Sequence, residues 1–145
     1  MKRHPTLAHL SRDHHPALIL AQLLKRKAAA YKGLPTDTEG KMHYALEFYQ
    51  GELISHFGQE EKMMGMLAGI NPELDEIQKE IRAEHVLLNS LFTGLRKKED
   101  AVTALDELGN SLDKHIRKEE RELFPLIEKS CDEQMMSSIE KLFTS

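Results

Sequence analysis

His56-Phe57-Gly58-Gln59-Glu60-Glu61 and His115-Ile116-Arg117-Lys118-Glu119-Glu120 carry one pattern, His-x-x-x-Glu-Glu, once in each half of the chain. In a helix, residues four apart lie one above the other on the same face, so each histidine shares a face with the glutamate after it. That face is otherwise apolar. Working outward from the first copy, Met42, Leu46, Tyr49, Leu53, His56, Glu60, Met63 and Leu67 recur at helical spacing. From the second copy, Val102, Leu105, Leu108, Leu112, His115, Glu119, Leu123 and Leu126 do the same. A polar group on a core stripe costs about 1–3 kcal/mol without a partner. A single pair would read as a solvated ion pair; two copies, both on apolar stripes, read as one shared site.

Two more segments have the same periodicity. Leu18, Ala21, Leu24 and Ala28 form a stripe over 13–31, with Leu7 and Leu10 continuing its phase and Ser11 or Asp13 as the cap that puts Pro16 in a first turn. Asn71-Pro72 is a cap followed by proline at the first helical position, ahead of Leu74, Ile77, Ile81, His85, Leu88, Phe92 and Leu95. Thr36 with Glu39 reads as a capping box for the second segment, and Asp100 opens the fourth. A short fifth segment holds Met136, Ile139 and Phe143 behind a candidate Ser130–Glu133 box. It would cover one bundle end or pair with another chain, the former being favoured. The loops near 32–36, 68–72 and 97–100 are short, and short loops join antiparallel neighbours. The chain, 1–145, is therefore expected to be a single all-α domain, an up-down-up-down four-helix bundle with a short C-terminal fifth helix.

Bulk composition agrees and excludes other classes. Twenty-one Leu against two Val favour helix over sheet. The net charge of -4 and a pI near 6.1 leave no footprint for nucleic acid. No apolar run approaches the roughly 18 residues of a membrane span, and the N-terminus lacks a signal-peptide core. One cysteine, Cys131, makes no internal disulfide, so a reducing cytoplasm is the simplest home.

Eight histidines are many for such a chain. His85 lies on the third stripe and His14 on the first, each preceded by an acidic residue, as Asp13-His14 and Glu84-His85. Counting residues from the connecting loops, at a helical rise of about 1.5 Å each, puts His14, His56, His85 and His115 at one depth. Four imidazoles and two carboxylates in a dry core suit metal better than a proton relay, because a cation neutralises the buried charge. Six ligands exceed one tetrahedral zinc. They suit two first-row ions, iron, manganese, cobalt or zinc, each with a histidine pair and bridged by Glu60 and Glu119.

At these residues, together with Leu10-Ser11-Arg12-Asp13-His14-His15-Pro16-Ala17-Leu18 and Leu123-Phe124-Pro125-Leu126, the chain resembles the hemerythrin-like, histidine–histidine–glutamate cation-binding family over roughly 5–130. The resemblance implies a four-helix bundle with a non-haem di-iron centre: two iron ions, or another divalent metal as purified. By carry-over, His14, His56, His85 and His115 are ligands and Glu60 and Glu119 bridge. It implies a protein that binds or senses O₂ or NO or handles iron. The alternative within the resemblance is a di-iron enzyme acting on peroxide or in nitrosative or oxidative stress. A metal-free helical interaction module is the third reading. Hemerythrin proper has two histidines a turn apart on its third helix; here His85 has Ile81 at i-4 and Asn89 at i+4, so stoichiometric O₂ carriage does not carry over. His15 replaces His14 if the helical phase is off by one. His4 and His9, placed before the first helix, and His43 are assigned to the surface. Tyr49 and the Met63-Met64 pair are read as core packing, and Glu61 and Glu120 as either solvated or supporting the ligands.

Overall fold

The computed structural model describes residues 2–144. Their regular structure is helical: α1 (Pro5–Leu24), α2 (Thr38–Phe48), α3 (Ile54–Met66), α4 (Pro72–Thr93), α5 (Ala101–Lys118), α6 (Phe124–Ser130) and α7 (Glu133–Thr144). A π-helical turn, Tyr49–Leu53, joins α2 to α3, and another, Glu119–Leu123, joins α5 to α6. Four rods result: α1, α2–α3, α4 and α5–α6. They form the up-and-down bundle, and α7 is the short fifth helix.

The caps explain where most rods begin. Asn71 Oδ1 accepts from the Leu74 N–H at 2.8 Å with Pro72 just inside, and Asp100 accepts from Thr103 N–H at 3.1 Å, both as the sequence predicts. Two caps sit one or two residues later than predicted: Asp37, not Thr36, accepts from Gly40 N–H at 2.9 Å, and Asp132, not Ser130, accepts from Met135 N–H at 2.8 Å. A carboxylate at the first turn gains from the helix dipole, which favours aspartate over the neighbouring hydroxyls.

The first rod departs most from expectation. It begins at Pro5, not near Ser11 or Asp13: the His4 ring accepts from Thr6 N–H at 3.1 Å and Pro5 takes the first helical position. His9 therefore lies within α1. Pro16 sits inside the helix, where both it and Arg12, whose carbonyl loses its partner, are exposed to water. The rod also ends early, at Leu24, so the first connection runs over 25–37 rather than 32–36.

The interior is divided. One apolar cluster gathers Ala17, Leu20, Leu24, Leu53, Leu88, Phe92, Leu105 and Leu112, among others; a second gathers Leu7, Leu10, Met63, Leu67, Leu74, Ile81, Leu123 and Phe124. α7 closes the end of the second with Met136 and Ile139, both almost fully buried. Along every rod the passage from one cluster to the other crosses a histidine. At the first cluster α5 approaches α1 so closely that a Cβ on Gly109 would lie 2.6 Å from the Ala21 carbonyl oxygen.

Candidate metal centre

The polar layer between the two clusters consists of His14, His56, Glu60, His85, His115 and Glu119, each at most 5 % exposed. Helical phase puts them there. His14 follows Leu7 and Leu10 on α1, and His85 follows Leu74, Ile77 and Ile81 on α4, while both His-x-x-x-Glu pairs keep the glutamate a turn below its histidine. The second pair spans the start of a π turn. Pro125 accounts for that turn: its ring would collide with the Arg121 carbonyl of a regular helix, and the widened turn instead bonds Phe124 N–H to the Glu119 carbonyl.

Each carboxylate faces both histidine pairs. Glu60 puts Oε2 3.2 Å from His56 Nε2 and Oε1 3.1 Å from His85 Nε2. Glu119 puts Oε1 2.9 Å from His14 Nε2 and Oε2 3.2 Å from His115 Nε2. The two halves have nearly the same shape: the His14 and His56 rings lie 4.9 Å apart at 63°, the His85 and His115 rings 5.0 Å apart at 62°. The ligand-type atoms fall into two groups, His14–His56–Glu60–Glu119 and Glu60–His85–His115–Glu119, each within 4.8 Å.

Behind every histidine stands a carboxylate on its Nδ1. Glu120 holds His14 at 2.5 Å, Asp13 holds His56 at 3.1 Å, Glu61 holds His85 at 2.7 Å and Glu84 holds His115 at 2.7 Å. A carboxylate only accepts, so Nδ1 carries a hydrogen, and once Nε2 gives up its proton each ring presents that lone pair to the centre. The four contacts run in one direction around the bundle. Asp13 of the first rod holds the second, Glu61 the third, Glu84 the fourth, and Glu120 returns to the first. Asp13-His14 and Glu84-His85 are thus not partners of each other; each acid serves the next rod. Glu61 and Glu120 support the ligand-type histidines, deciding the alternative left open by the sequence. Arg82 binds Glu61 at 3.0 Å, and Ser11 and Arg3 bind Glu120, holding the outer acids in turn.

Electrostatics favour cationic charge here. Burial alone would depress the histidines, but the carboxylates outweigh it. Glu60 and Asp13 push His56 up to about 10, Glu119 and Glu60 push His85 to about 9, and Glu119 and Glu84 push His115 to about 10. His14 is also raised, by Glu119 and Glu120. Glu119 is fully buried, yet His115, His14 and His85 hold it well below the usual carboxylate range.

Hydrogen bonding alone does not satisfy the layer. Among the described residues, five buried side-chain atoms lack a hydrogen-bond partner, and four belong to it: Glu60 Oε2, His115 Nε2 and both oxygens of Glu119. His14 Nε2 and His56 Nε2 face each other at 3.2 Å. Two imidazole nitrogens on one ion at about 2.1 Å would lie about 3.0–3.4 Å apart for angles between octahedral and tetrahedral. The donor set therefore fits a pair of cations.

The other histidines stand apart. His15 is exposed while His14 is in the layer. His43 pairs with Glu47 on the surface at 3.1 Å. His4 caps α1, and His9 meets Gln59 at 2.9 Å and the edge of Phe143, so neither is a bare surface residue. Tyr49 is core packing, stacked on Phe92 at 4.6 Å, and its hydroxyl donates to Asn89 Oδ1 at 2.6 Å. Met63 and Met64 are fully buried. Where a fifth histidine would stand, Ile81 is packed in the second apolar cluster and Asn89 is held by Tyr49. Sequence reading missed the orienting roles of Asp13 and Glu84; the repeated acid–histidine dipeptide was their signal. No described helix is long and apolar enough to cross a membrane.

No curated protein and no solved structure matches the chain. The family model for the hemerythrin HHE cation-binding domain matches residues 6–127, from the start of α1 through both His-x-x-x-Glu pairs. With that span and this layer, the chain belongs to the hemerythrin HHE cation-binding domain family.

Proposed function

We propose that the layer is a non-haem two-iron centre and that the protein binds or senses a small ligand there, O₂ or NO, or handles iron. His14 and His56 serve one ion, His85 and His115 the other, and Glu60 and Glu119 bridge them. The observation that carries this reading is the division of labour in each bridging carboxylate, one oxygen turned to each histidine pair. Two nitrogens and two shared carboxylates leave each ion short of six ligands, and such ions bind and activate diatomic molecules. The protein's own part is to exclude water with two apolar clusters and to hold four imidazoles in one tautomer. It also supplies negative charge that a pair of divalent ions would balance.

The test is metal analysis of protein expressed with iron, beside His56→Ala and His115→Ala. About two irons per wild-type chain, with a large loss in each variant, supports the centre. Equal, substoichiometric metal in all three would sink it. Hydrogen peroxide turnover well above that of free iron would move the assignment from ligand binding or sensing to enzyme.

A further inference from the structure

The two halves of the layer repeat each other, but their surroundings do not. On one side, between α4 and the start of α3 with Tyr49 of the π turn, a cleft of about 350 Å³ is lined in part by His85. Tyr49, Phe57 and Asn89 line it, as does the Glu61–Arg82 ion pair, and the exposed Ile54 and Val86 stand at its rim. Val86 is 70 % exposed and Ile54 45 %, two of the few large apolar side chains left in water. Beside His56, between α1 and the second rod, the space is far smaller, about 20 Å³, room for about one water.

The internal repeat shows what the other seam has instead. With the second rod laid on the fourth by their His-x-x-x-Glu pairs, Tyr49 and Phe57 become Leu108 and Ile116. With α4 laid on α1 by their acid–histidine dipeptides, Val86 and Asn89 become His15 and Leu18. Leu108 and Ile116 are buried, and Leu18 packs against the first apolar cluster. His14 is covered by the fully buried Phe124, stacked at 5.6 Å, and Arg3 lies over that ring at 5.4 Å. One seam is sealed by aliphatic packing. The other is open and carries a polar pair, with a π turn on its wall, a feature common beside functional sites. The Tyr49 hydroxyl occupies Asn89 Oδ1, and the Asn89 amide nitrogen has no hydrogen-bond partner among the described residues.

We propose that this cleft is the route and outer binding site for the small ligand. The ligand passes Val86 and Ile54 to the ion held by His85, and the Asn89 amide N–H donates to it. The class that fits is a ligand of two or three heavy atoms with a hydrogen-bond acceptor, of dioxygen or peroxide size. This rests on the two-metal reading above.

The experiment uses iron-loaded, oxidised protein and azide, a triatomic acceptor, with binding followed by stopped-flow absorbance and iron counted in every sample. Val86→Trp and, on the facing rim, Ile54→Trp should slow azide association at least tenfold with iron unchanged. His15→Trp, at the matching place on the sealed seam, should stay within twofold of wild type. Asn89→Leu, which copies Leu18, should keep the association rate and raise the dissociation rate several-fold. Full iron with wild-type rates in both rim variants, or equal slowing by His15→Trp, overturns the cleft alone. Wild-type protein that holds no iron overturns the metal centre and this inference with it.

Discussion

Glu84→Ala removes the acid that holds His115 Nδ1 at 2.7 Å and leaves the six layer residues in place. It is the cleanest of the four orienting acids to delete. Its other partner, Lys118, sits 3.2 Å away but keeps Glu80 at 3.3 Å, so no cation is stranded. The bond has the length of a charge-assisted contact, and the Glu84 side chain is 29 % exposed, so water replaces it poorly. Loss of such a partner typically lowers metal affinity by about 10–100-fold, or about 1.4–2.7 kcal/mol at roughly 1.4 kcal/mol per decade. Asp13 is the internal comparison. Its contact to His56 is 3.1 Å and its side chain is half exposed, so Asp13→Ala should cost less than Glu84→Ala. The assay is anaerobic competition for Co(II) against a chelator, with thermal melts of the metal-free variants alongside. The reasoning is refuted if Glu84→Ala binds within twofold of wild type, or if Asp13→Ala costs more.

His14→Ala should lose metal while His15→Ala retains it, read by metal content; retention in both would show that the ring in the layer is not a ligand. Gly109→Val should destabilise the fold by about 1–3 kcal/mol, since its Cβ would meet the Ala21 carbonyl at 2.6 Å; an unchanged denaturant midpoint would mean that α1 and α5 separate freely. Metal-free protein should be most stable between about pH 4.5 and 6.5. The raised histidines contribute fully below their ordinary 6.5 and lose that contribution as pH rises through about 9 to 10. The depressed Glu119 contributes above its ordinary 4.5 and loses that contribution as pH falls below it. Urea midpoints in chelator at several pH values check this, and a rise in stability from pH 6.5 to 9 would contradict it.

The layer was legible because a helix converts spacing into direction: His56 with Glu60 and His115 with Glu119 needed only the i, i+4 rule. His14 was harder, because Pro16 two residues on suggested a helix start, whereas the helix runs from Pro5 through it. The π turn at Tyr49–Leu53 left no mark that periodicity detects; Gly51 within it is merely a poor helix former. The other turn had Pro125, readable once the rod was known to continue past it. Asp37 and Asp132 displaced Thr36 and Ser130 as caps because several capping residue types stood together and the helix dipole favours the carboxylate among them. The orienting acids were visible as neighbours of ligand-type residues, but each reaches the following rod. That is a fact of how the helices pack around one another, and spacing along one helix says nothing about it.

The partition of the interior has a thermodynamic consequence. Two oily compartments that meet only across a charged plane share their stability through that plane and the rods threading it. While the plane is compensated, by protons or by ions, heat should melt the protein in one step. Strip its compensation, by chelation at high pH, and the compartment closed by α7 should melt apart from the one packed around Gly109. The ratio of calorimetric to van't Hoff enthalpy, near one in the first condition, should then rise above it in the second. The histidine layer would in that sense be the keel of the fold.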